Sequence, residues 1–158
     1  MNRTELLAGR MREVFLNGRW IANTNYNEQL QHISWQDATR KFGPLNTIAA
    51  LTFHINYYLA GLLQVFGGGA LEIRDKYSFD LPPITSEEAW QQLRNELLAN
   101  AEAFADAVEQ LPEDLLDKAF VDEKYGSYLR NIEGVIEHGY YHLGQISLIR
   151  KLLAAEKE

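Results

Sequence analysis

Residues 85–111 read TSEEAWQQLRNELLANAEAFADAVEQL, and the apolar spacing of this stretch decides the fold class. Trp90, Leu93, Leu97, Ala101, Phe104, Val108 and Leu111 follow one another at intervals of 3, 4, 4, 3, 4 and 3 residues. This is the period of a helix that buries one face and leaves the other to water. Thr85 stands three residues before Glu88, the spacing of a capping box, so the helix is expected to begin at Thr85. Pro112 closes it, because proline lacks the N–H that the next helical turn needs.

The flanking segments read the same way. Leu7, Met11 and Val14 mark a first helix over Thr4 to Gly18, with the glycine as its stop. Ser34 and Asp37 cap a short turn through Lys41 that Phe42-Gly43-Pro44 interrupts. A second long helix is expected over Asn46 to Phe66. Gly67 to Ile84 holds three consecutive glycines and Pro82-Pro83, which is the composition of a long connection. A polar segment follows Pro112, and Ser127 caps a fourth helix reaching about Ala155. Strand patterns are nearly absent. The expected fold is all-α: a four-helix bundle with a long crossover between the second and third long helices, forming one domain over residues 1–158.

Composition limits the chemistry. The chain has 158 residues, 46% of them hydrophobic, and 15 basic against 22 acidic side chains give a net charge of −7. One core of ordinary size is expected at this length. No basic cluster exists to neutralise phosphates, so nucleic acid is not an expected partner. There is no cysteine, which excludes disulfides, thiol nucleophiles and thiolate metal sites. Any metal must therefore sit on His, Asp or Glu. The first residues show no signal-peptide pattern, and a cytoplasmic setting is expected.

Between Lys41 and Glu72 no residue carries a formal charge, a run of 30 residues and long enough to span a bilayer. Asn46, Thr52, His54, Asn56 and Gln64 interrupt it, and Gly67-Gly68-Gly69 ends it. It is read as a helix buried among other helices, with no membrane partner.

His138 and His142 lie four residues apart. In a helix this places them about 6 Å apart along the axis and about 40° apart in rotation, so both rings point the same way. Val135, Ile146 and Ile149 share their sector, whereas Arg130, Glu133 and Glu137 lie elsewhere. The pair is expected to face inward. His54 shares a stripe with Leu51, Tyr58, Gly61 and Val65 and is expected inside as well. A buried imidazole needs a partner on each nitrogen, and a divalent metal shared by three rings meets that need. Bonding of each ring to a carbonyl or a tyrosine is the alternative. His32, in the polar segment, is read as a surface residue.

Gly134, Gly139 and Gly144 interrupt the same helix at a combined cost of about 3 kcal/mol against alanine. Either the site needs open space and close backbone approach there, or neighbouring helices pack tightly on these positions. Glu-x-x-His is absent at all three histidines, which excludes a di-iron carboxylate centre, and HExxH is absent too.

The run His138-Gly-Tyr-Tyr-His142-Leu-Gly144-Gln145-Ile146-Ser-Leu-Ile-Arg150 resembles the HxxYHxGQI signature that closes the DinB-like (DinB/YfiT-like) family of metalloenzymes. The resemblance extends to a third histidine in the second long helix, His54, and to the four-helix layout. It implies a bundle in which His54, His138 and His142 hold a divalent ion (nickel, zinc or iron), commonly in a homodimer. It further implies metal-assisted transfer of a low-molecular-weight thiol such as bacillithiol, glutathione or mycothiol to an electrophilic small molecule, or less commonly isomerisation or hydrolysis. The departure from the family pattern is the polar segment Ile21–Gln36, which leaves open what walls the site. Three imidazoles leave a fourth position free, as catalytic rather than structural sites do. Tyr58, Tyr141 and Gln145 are the candidates for hydrogen bonds to the ligands or substrate, with plain core packing as the alternative for the two tyrosines. The competing class is a non-catalytic metal-binding or stress-related helical bundle that dimerises through an apolar face.

Overall fold

The computed structural model describes residues 1–158 and is all-helical; its one β feature is an isolated antiparallel bridge between Ala119 and Ser127. Helix α1, Arg3–Arg12, opens on a capping box in which Asn2 Oδ1 accepts from the Glu5 N–H and Glu5 Oε2 accepts from the Asn2 N–H. It continues into a π-helical turn, Glu13–Asn17, and stops at Gly18 as expected. A side chain at Gly18 would collide with Glu13, which is why the stop requires glycine.

The polar segment is folded rather than loose. Asn25 caps α2, Tyr26–Leu30, and Ser34 caps α3, Trp35–Ala38, by accepting from the Asp37 N–H as read from the sequence. Tyr26, Leu30 and Ile33 are buried, and those apolar anchors suffice to hold the segment on the core. His32 is exposed and adopts a left-handed φ of 59° between the two helices.

Helix α4, Ile48–Phe66, starts two residues later than expected because Thr47 supplies the cap, its hydroxyl accepting from the Ala50 N–H. Its length and composition match a membrane span, yet half of the apolar window is buried against the rest of the molecule. The connection 67–84 is long, with a single 3₁₀ turn at Asp75–Tyr77. Helix α5, Glu87–Glu109, corrects one expectation. Its cap is Ser86, whose Oγ accepts from the Ala89 N–H, and not Thr85. Shifting the start by one residue leaves alanine at the third position, so no capping box forms. Glu87 instead reaches across to accept from the Trp35 N–H at 2.8 Å, tying α5 to α3. The predicted stripe is buried from Trp90 to Val108.

After Pro112 two 3₁₀ turns, Glu113–Asp117 and Glu123–Tyr125, lead to α6, Tyr128–Glu156, capped by Ser127 as expected. Helix α5 packs against both α1 and α4, and α6 closes over α4. One contiguous apolar core draws residues from all six helices. Arg12 clamps α1 to α5 by bridging Glu102, Asp106 and Glu109. Arg150 of α6 donates to the carbonyls of Glu28 and Gln29 at 3.2 and 2.7 Å, closing the otherwise open C-terminal end of α2.

Candidate metal centre

His54 projects from α4, and His138 and His142 from α6, into one group. His138 Nε2 stands 3.0 Å from His54 Nε2 and 2.9 Å from His142 Nε2. His54 and His142 are buried and His138 is half-buried, facing a cleft. The rings meet pairwise at 73° to 83°, so three nitrogen edges converge instead of stacking.

On two of the three rings the opposite nitrogen is held from behind. His54 Nδ1 lies 3.2 Å from the Ser78 carbonyl, and His142 Nδ1 lies 2.7 Å from Gln145 Oε1. A carbonyl oxygen only accepts, so each of these Nδ1 atoms carries its hydrogen and each Nε2 presents a bare lone pair. A neutral His138 has at most one N–H to offer the two lone pairs beside it. The trio is therefore short of positive charge at the point of convergence, which a metal cation would supply. The group can hold a metal ion.

Electrostatics agree with that chemistry. Burial, reinforced by the neighbouring rings, lowers His138 to about 4. Burial also lowers His54, with His142 adding to the effect, and burial lowers His142. All three are neutral near pH 7, the form in which imidazole ligates.

The crossover between α4 and α5 builds the outer wall. A side chain at Gly61 would clash with Ile73, so glycine lets the crossover lie directly on α4. Tyr57 then pins it, its hydroxyl accepting from the Arg74 N–H at 2.8 Å and donating to the Arg74 carbonyl at 3.0 Å. This sets the turn at Asp75–Tyr77, which delivers the Ser78 carbonyl to His54 and stacks Phe79 on the His54 ring at 4.0 Å. Tyr58 donates to Asp75 Oδ1 at 2.7 Å and presents its ring to His54 and His138.

The inner wall comes from the π-turn and α2. A Cβ at Gly139 would lie 3.0 Å from Phe15 and 3.3 Å from Val14, and Tyr26 donates to the Gly139 carbonyl at 2.7 Å. Gly139 thus serves close packing, whereas nothing lies within 4 Å of a Cβ at Gly134 or Gly144. The two accounts of the glycines divide by position. A cleft of about 690 Å³ opens beside His138 between α4, the crossover and the start of α6.

Of the candidates beyond the ligand trio, Gln145 touches His142 and Tyr58 borders both the trio and the cleft. Tyr141 sets its edge against His142 but is 65% exposed and lies outside the cleft. Sequence reasoning missed Ser78, Phe79 and Asp75, since nothing in a Gly- and Pro-rich connection marks one carbonyl as a histidine partner. Together the fold and the group define an all-helical protein with a three-histidine site suited to a metal ion. Comparison with protein-family models, curated proteins and solved structures gives no match to this chain.

Proposed function

We propose that this chain is a divalent-metal-dependent protein of the DinB-like kind, its four long helices forming a bundle, that transfers a low-molecular-weight thiol to an electrophilic small molecule. The observation that carries the reading is the convergence of three Nε2 atoms whose outer rings are fixed by Ser78 and Gln145. Nickel, zinc and iron all accept imidazole ligands, and three nitrogens leave a position for a reactant.

A bound ion supplies Lewis acidity, which favours the thiolate over the thiol at neutral pH. The chain's residues do the rest. Ser78 and Gln145 hold the rings in the ligating tautomer, as acceptors behind metal-bound histidines do elsewhere. Phe79 and Tyr58 limit water at the trio. The cleft admits the reactants to the His138 side. In the transfer the S–H bond breaks, sulfur bonds to the electrophilic carbon, and the proton leaves with the displaced group.

A second reading, a non-catalytic metal-binding homodimer, is favoured by one observation. Tyr141, Leu148 and Leu152 leave an apolar stripe on α6 exposed to 65%, 57% and 37%. One experiment separates the two readings. Protein purified without a His tag is expected to carry one metal ion per chain and to conjugate thiols to monochlorobimane with loss of chloride. His142→Ala is expected to abolish this turnover, and His54→Ala and His138→Ala to lose the metal. Bound metal with no turnover supports the second reading. No stoichiometric metal, with unaltered His54→Ala and His138→Ala variants, defeats both.

A further inference from the structure

Gly134 and Gly144 are residues of α6 whose identity neither helix formation nor packing explains, and of the two only Gly134 lines the cleft. Glycine is among the poorest helix formers, and a Cβ here would meet nothing within 4 Å. The position lines the cleft one turn before His138. Around it stand Leu62, Ile73, Phe120 and Val135, contributed by α4, the crossover, the 112–127 segment and α6. The volume, about 690 Å³, is that of a site for a small organic molecule.

The mouth differs from the walls. Arg74 lines it, and its guanidinium takes part in none of the ion pairs of this structure, although the chain is acidic overall. Its backbone is fixed at both N–H and carbonyl by Tyr57, so the side chain springs from a set point. Arg130 also lines the cleft, but Glu137 occupies it at 3.0 Å. Asp75 is engaged by Tyr58. Asp75 keeps its negative charge through that hydrogen bond, so the lining carries both signs, and Arg74 is the cleft cation that stands outside every ion pair.

We infer that the cleft is the binding site for one reactant of the proposed transfer, an amphipathic small molecule whose apolar body fills the space left by Gly134 and whose carboxylate or sulfonate end pairs with Arg74. The inference rests on the metal-site reading for its place in the reaction, but the cleft and its binding do not require the ion. Body and anchor are separable. The walls recognise shape and apolarity, and the arginine recognises charge.

Two naphthalene dyes test this without turnover: anionic 8-anilinonaphthalene-1-sulfonate and neutral N-phenyl-1-naphthylamine, titrated into the full chain with metal content measured in parallel. Wild type is expected to bind one molecule of either dye per chain. Gly134→Leu is expected to weaken both by roughly tenfold or more while keeping helicity and metal content, because the new side chain occupies the cleft. Arg74→Met is expected to weaken only the sulfonate, by about tenfold, the loss of one charge-assisted contact. Should Gly134→Leu fail to fold, Gly134→Ala serves instead, since its added methyl has open space. It is expected to raise the melting temperature and to lower affinity for both dyes. Unchanged affinity in the folded Gly134 variant overturns the site, and equal loss of both dyes in Arg74→Met overturns the anionic anchor. If the chain takes up no stoichiometric metal yet binds the dyes by these rules, the cleft stands and the metal reading fails alone.

Discussion

Two of the three imidazoles at the proposed centre, His54 and His142, are held by what lies behind them. Gln145 is one turn from His142 and accepts from its Nδ1, so removing the amide frees the ring to rotate and to change tautomer. Gln145→Leu is expected to lower metal affinity about 10- to 100-fold without unfolding the chain, as losses behind metal ligands generally do. Competition against a chromophoric chelator measures this, and an unchanged constant would show that the amide does not orient the ring. Protonation sets the pH behaviour at the same scale. His138 in the folded chain lies near 4, below its ordinary 6.5, so between those values the unfolded chain binds the extra proton. The contribution of neutral His138 to the stability of the metal-free protein is therefore complete above about pH 6.5 and is lost progressively as pH falls toward 4. His54 and His142 shift in the same direction and deepen the loss. Denaturant titrations at pH 7, 5.5 and 4.5 are expected to give falling midpoints, and His138→Gln is expected to flatten the trend. With metal bound, the same lowered basicity keeps protons from competing until well below pH 6.

At the scale of elements, the centre depends on a connection as much as on helices. The crossover reaches His54 because Ile73 rests on Gly61 and Tyr57 grips the backbone of Arg74. A branched side chain at Gly61 has no room and must push Ile73 outward. Gly61→Val is expected to cost about 1–3 kcal/mol by overpacking. It should also weaken metal binding, since the Ser78 carbonyl moves with the crossover. A variant that loses stability but binds metal normally would uncouple the crossover from His54. The polar segment 21–36 makes the same point from the other side of α6. Its composition reads as surface, yet Tyr26 reaches the Gly139 carbonyl between the two α6 histidines. Apolar patterning could not reveal this, because a few anchors in a polar stretch set up no period.

At the scale of the whole molecule, an ion held by the three histidines would couple to the fold through two helices far apart in the chain. His54 and His142 are separated by 88 positions, so an ion between them binds the folded state only. Free metal at about 100 times its dissociation constant is expected to add about 2.7 kcal/mol, which for a domain of this size is a rise of roughly 5–10 °C in melting temperature. Scanning calorimetry with and without a chelator measures the rise, and His54→Ala is expected to remove it. An equal rise in that variant would place the ion elsewhere.

Sequence alone carried the helical fold, because helix periodicity, serine and threonine caps, and proline and glycine stops are local properties. It carried the inward His138–His142 pair and its pairing with His54 for the same reason: a spacing of four and an apolar stripe fix which way a ring faces. The start of α5 at Ser86 instead of Thr85 shows the limit of that reading, since two adjacent hydroxyl residues offer equivalent caps and contact with Trp35 chooses between them. Only the tertiary structure decided that Ser78 holds His54, that Gly139 is packed while Gly134 is open, and that a cleft with Arg74 at its mouth borders His138. Those features depend on where an aperiodic crossover lies against helices distant in the chain, and no local pattern encodes that path.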